Sequence, residues 1–218
     1  MNHPFVLLIG AILSIGISWN TLIVGPQKHF GQLGSDDGLP QVLNGMQKQG
    51  RQVFVSSGCV KCHTQQVRFF ENDAKYAPRF STANDFVGQE MPLLGTHRIG
   101  PDLSNLGNNA RYTGDDGLEN LYRTLFHAKE SPVLAESKLA GLMPRHTFLF
   151  DKVKLDELSP DAEFASLAAD LGKQAGLEDG YGFVPTYKAE ALSRYLLGLK
   201  LDQSLFVSPI PDPEEEKN

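Results

Sequence analysis

Gly58-Cys59-Val60-Lys61-Cys62-His63 decides how this chain is read. Two cysteines separated by two residues, with a histidine directly after, form the attachment sequence of a c-type haem. The spacing suits the two haem vinyl groups, each of which would close one thioether. Attachment then delivers the His63 imidazole to one face of the iron. Cys59 and Cys62 are the only cysteines in the chain, so none is left for a disulfide or an all-cysteine zinc site. The same letters fit a thioredoxin-like redox pair, which needs a β-α-β pattern nearby. They also fit half of a zinc site completed by a second histidine. No β-α-β pattern surrounds them.

Downstream, Arg98-Ile99-Gly100-Pro101-Asp102-Leu103 reads as a rigid turn with an apolar contact. Beside a haem, the carbonyl next to the proline can accept from the His63 Nδ1–H and leave Nε2 for the iron. Met143-Pro144 supplies the preferred sixth ligand, a neutral thioether that raises the potential. Met91-Pro92 is a competing dipeptide, and His97, His127 or His146 would give two imidazole ligands instead. Arg68 and Arg79 stand among aromatic residues; Arg68 is the better partner for a haem propionate, with a solvated surface role as its rival.

Helical patterns frame these motifs. A helix over residues 41–58 carries Gly50 and Phe54 on one face. Residues 115–129 show apolar spacing at Leu118, Leu121, Tyr122 and Leu125, with Asp116 and Glu119 as a capping pair. Ser159-Pro160 begins a further helix that Gly172 and Gly176 end. Residues 186–200 form the last one, with Tyr187, Ala191 and Tyr195 directed at the Gly50–Phe54 helix.

At the N-terminus, Pro4 to Gln27 carries no charge and is long enough to cross a bilayer, which takes about 20 residues. The start Met1-Asn2-His3 has no Lys or Arg, and Val24-Gly25-Pro26 is a poor cleavage site, so an uncleaved anchor is favoured over a signal peptide. The expected layout is an anchor (1–27), a glycine-rich linker (28–41), a haem domain (42–206) and a proline-rich acidic tail (207–218), in an all-α fold. A formal net charge of −6 argues against a nucleic-acid partner.

With these motifs in this order, residues 42–201 resemble a class I cytochrome c. The longer strings are more specific. Gly58 through Thr64-Gln65-Gln66-Val67-Arg68, Arg98-Ile99-Gly100-Pro101-Asp102-Leu103 running on to Arg111-Tyr112, and Met143-Pro144 followed by Phe148-Leu149-Phe150 are similar to the membrane-anchored mono-haem subunit of cbb3-type cytochrome c oxidases. The segment from Gly180-Tyr181 to Tyr195-Leu196-Leu197 also fits a branch of that family.

The resemblance implies one covalent haem c on Cys59 and Cys62, with His63 and Met143 on the iron. It places Pro101, Leu103, Arg68, Arg111 and Tyr112 at the cofactor. It also implies a single-pass protein of the bacterial inner membrane with its haem domain in the periplasm. Electrons would pass to a haem-copper catalytic subunit alongside other cytochrome c subunits. No catalysis by this chain alone and no small-molecule substrate are expected. The alternatives are an independent membrane-tethered cytochrome c shuttle, a cytochrome subunit of another respiratory complex, and a haem-based gas sensor.

Overall fold

The computed structural model describes residues 4–28, 43–70, 73, 75–86, 89, 91–134, 136–159, 164–205 and 208–210. The expected linker, apart from Lys28, lies outside them, as do Pro160 and the end of the tail from residue 211.

Helix α1 spans Pro4–Lys28, and it is apolar enough to cross a membrane. At 1.5 Å per residue it runs to about 37 Å, more than the roughly 30 Å of a hydrocarbon core. A π-turn at Asn20–Val24 interrupts the α-helical ladder beyond Trp19. None of its 25 residues is buried against the protein, so its apolar surface has no partner within the described fold.

Helix α2 runs Gly45–Ser56, starting later than expected. Its start is set by a capping box: Asn44 Oδ1 accepts from Gln47 N at 2.9 Å, and Gln47 Oε1 accepts from Asn44 N at 3.0 Å. Asn44→Ala should lower stability by about 1 kcal/mol, read as a shift in the urea midpoint. Gly58, at φ 77°, then turns the chain left-handed into the Cys59–Lys61 3₁₀ turn.

Helix α3 (Gly117–His127) buries Leu121, Tyr122, Leu125 and Phe126. The expected Asp116–Glu119 capping pair does not form: the Asp116 side chain caps nothing, and Glu119 binds Arg123 instead. Arg123 also reaches Asp170 at 2.9 Å, tying α3 to helix α4 (Ala165–Gln174). Helix α4 starts five residues beyond Pro160. Gly172 lies inside it, and Gly176 at φ 70° terminates it.

The all-α expectation needs correcting. Strands β1 (Phe150–Lys154) and β2 (Tyr181–Pro185) pair antiparallel, Phe150 opposite Pro185 and Lys154 opposite Tyr181. β2 sets Tyr181 and Phe183 on either side of Gly182, whereas β1 buries Phe150 and half-buries Val153 between exposed charged residues. Helix α4 lies against this ribbon, and glycine makes the approach possible. A Cβ on Gly182 would stand 2.7 Å from the Ala168 carbonyl carbon, and one on Gly172 would strike the Tyr181 carbonyl. This unit packs on α3 through edge contacts of Tyr122 with Phe150 and Phe164, and of Phe126 with Phe150.

Helix α5 (Tyr187–Leu197) starts at Thr186, whose side chain accepts from Ala189 N. It crosses α2 where Gly50 meets Ala191, with Phe54 edge-on to Tyr195 at 6.1 Å between ring centres. That is the crossing expected from the glycine and aromatic spacing. Beyond α5 the chain stays attached further than expected. Arg79 Nε donates to Gln203 O at 2.6 Å, and the buried Ser208 donates to Phe80 O at 2.8 Å. Structured packing therefore reaches past residue 206.

Candidate functional site

The Cys59-to-His63 segment folds as one tight turn, with Cys62 N and His63 N both bonded to Cys59 O. Residues 93–103 run along it as a strap. Gln65 N bonds Leu93 O, His97 N bonds Lys61 O, Gly100 N bonds Cys62 O and Leu103 N bonds Thr64 O, all within 3.0 Å. Two glycines let the strap lie this close. A Cβ on Gly95 would sit 2.8 Å from the His63 carbonyl carbon, and one on Gly100 would sit 2.6 Å from His63 Nδ1. Arg98 takes φ 50° within the strap and donates to Gly95 O and Gln66 Oε1, each at 3.2 Å.

The turn and the strap form part of the wall of a cavity of about 350 Å³. Cys59, Cys62, His63, Pro101, Leu103, Arg111, Tyr112 and Met143 all line it. Both cysteines are free thiols. Burial pushes the Cys59 thiol up to about 11. At neutral pH it is therefore protonated, which is the opposite of a thioredoxin-like attacking cysteine.

His63 Nδ1 lies 2.9 Å from Pro101 O. A carbonyl can only accept, so Nδ1 carries the proton and Nε2 keeps its lone pair. Burial lowers the His63 pKa, which keeps the ring neutral. The chain thus presents one imidazole, in the tautomer a metal needs, beside two free thiols.

Arg68 lies elsewhere and does not line the cavity. It donates to Asp73 at 2.8 Å and stacks over Phe70. Arg79 is likewise closed off by Asp85 and Gln203. Among the rival ligands, Met91 and His97 are exposed and His127 is not on the cavity wall. His146 is on it and is buried.

Two polar groups at the site were given no role in the sequence reading. Thr124, on α3, donates to Asn120 O at 2.9 Å and stands within hydrogen-bond reach of the Tyr112 and Ser131 hydroxyls. Its place in an amphipathic helix gave it the look of an ordinary polar residue. Asp102, also on the wall, accepts from Gln66 N and Ser104 N; its burial raises its pKa. Among the described residues no group of three or more His, Cys, Asp or Glu is placed to hold a metal ion.

The family model that matches residues 2–166 is that of a one-haem oxidase subunit. The chain belongs to this family, described as Cytochrome C oxidase, mono-heme subunit/FixO. The match includes α1, the cysteine motif, the strap and Met143, and it ends within α4, before β2 and α5. No curated protein matches the chain.

The residues present fit a covalently held haem. Two thiols, a tautomer-locked imidazole and a thioether line one largely apolar cavity, and Gly100 leaves the imidazole its space. Helix α1 suits a membrane anchor for such a subunit.

Proposed function

We propose that this chain is the electron-transfer subunit of a cbb3-type terminal oxidase, passing electrons to a haem-copper catalytic subunit. Cys59 and Cys62 would hold one haem c by thioethers, and His63 and Met143 would ligate its iron. The observation that carries this reading is His63, pinned by Pro101 with Nε2 free, on the same cavity as both cysteines and Met143. The haem supplies one-electron chemistry at its iron.

The chain's own residues do the rest. Pro101 orients His63, the strap shields the attachment turn, and Leu103, Leu121 and Leu125 keep the pocket apolar. Arg111 and Tyr112, which line the cavity, would meet the propionates; Arg68 does not line it. Helix α1 anchors the subunit in the bacterial inner membrane, with the haem domain in the periplasm.

The decisive test is gentle detergent purification of the tagged chain from its native membranes. Covalent haem, partner subunits and oxygen uptake are scored together. A haem c chain arriving with a haem-copper subunit and cyanide-sensitive oxygen uptake supports the proposal. Arrival alone, or with quinol-oxidising partners, makes it a tethered shuttle or a subunit of another complex. Arg68→Ala in the same preparation should leave the haem spectrum unchanged. A shifted spectrum would put Arg68 back at the cofactor.

A further inference from the structure

His63 is not the sole imidazole on the haem cavity. His146 also lines it and is 7% exposed. Its Nδ1 lies 3.2 Å from Leu125 O, at the end of α3. The backbone N of His146 bonds the same carbonyl at 3.2 Å, which fixes the residue from two sides.

The argument applied to His63 applies again. A carbonyl cannot donate, so Nδ1 holds the proton and Nε2 carries a lone pair. In this tautomer Nε2 cannot donate to a haem propionate, which needs a hydrogen-bond donor. A lone pair in an apolar cavity suits a metal. Two further observations agree. Among the described residues Nε2 makes no hydrogen bond. Met143 and His146 also flank one short loop. Met143 closes the Ala140–Leu142 turn, and His146 opens the Thr147–Leu149 turn.

We propose that His146 is a reserve ligand of the haem iron, its Nε2 taking the sixth position whenever the Met143 thioether is absent. The exchange breaks an iron–sulfur bond and forms an iron–nitrogen bond. No proton and no electron need move, since Nε2 already lacks a proton. Its consequence is an iron that stays six-coordinate and closed to small ligands. The inference rests on the haem reading above.

The test uses the full-length chain matured with haem, native and as Met143→Ala, Met143→Leu and the double variant Met143→Ala/His146→Gln. Covalent loading is read from the pyridine haemochrome. Ferric spin state and carbon monoxide binding after reduction are then compared. The two single variants should lose the far-red sulfur-to-iron band yet remain low-spin with a bis-imidazole signature, and bind carbon monoxide slowly. The double variant should turn high-spin and bind it fast. The leucine variant keeps the side-chain volume should the alanine one misfold.

If the single variants are as high-spin and as open as the double variant, the proposal is overturned. A native protein already showing two imidazoles overturns both the reserve role and Met143 as the resident ligand. No covalent haem in the native chain overturns the haem reading itself, a result the loading measurement separates from the others.

Discussion

On the haem assignment proposed above, Gly100→Ala should turn the haem high-spin. The Cβ it adds would stand 2.6 Å from His63 Nδ1 and 2.8 Å from Nε2, closer than real Cβ contacts come. The backbone has little freedom to retreat, because Gly100 N is bonded to Cys62 O at 3.0 Å and Pro101 O holds the ring at 2.9 Å. One of these bonds must break or the imidazole must swing away. Overpacking of this kind costs about 1–3 kcal/mol, and here the strain falls on the ligand itself. Losing the Pro101 bond also releases the tautomer that leaves Nε2 free. Under that assignment the thioethers would not depend on Gly100, so haem should still attach while its spectrum turns high-spin and its potential moves. A Gly100→Ala protein with an unchanged low-spin spectrum would show that the strap does not constrain His63.

Gly50→Ala should destabilise the fold even though alanine is the better helix former. In an unhindered helix the change would gain about 0.8–1.0 kcal/mol. At Gly50 the added Cβ would lie 2.6 Å from both the Ala191 carbonyl carbon and Tyr195 Cβ. Neither obstacle is the far end of a flexible side chain, so α2 and α5 must separate. Separation strips contact from Phe54 and Tyr195, which are 1% and 2% exposed. Against an overpacking cost of about 1–3 kcal/mol the propensity gain loses. For a chain of this size each kcal/mol lowers the thermal midpoint by about 2–4 °C. Gly45→Ala, where nothing lies within 4 Å of the new Cβ, is the control and should be neutral or slightly stabilising. Equal midpoints for the two variants would mean that the crossing has slack.

Much of the pocket was legible because its chemistry is written in short motifs. The cysteine pair with its histidine, the Gly-Pro turn and Met-Pro each name an atom the site needs, and each lies on the cavity wall. The Gly50–Phe54 pair pointed to its partner helix because helical spacing fixes which residues share a face. Nearness in sequence and the family resemblance both pointed to Arg68 at the haem; in the structure it binds Asp73, stacks over Phe70 and does not line the cavity. The Asp116–Glu119 pair had the right spacing for a cap, but Arg123 offered Glu119 a stronger partner. The capping box at Asn44 and Gln47 went unread in a stretch judged to be helix already.

The amino-acid sequence alone was enough for the apolar N-terminal helix, the family, the order of the motifs and the principal helix crossing. All of these depend on local spacing or on which reactive groups exist. Tertiary structure decided the rest: the pairing of β1 with β2, the strap along the cysteine turn, and which histidines lie on the cavity wall. The physical reason is the same each time. Strand pairing, backbone approach at Gly95 and Gly100, and the carbonyl facing each imidazole join residues far apart in the chain. Such contacts are set by which surfaces pack together, and no local pattern records that.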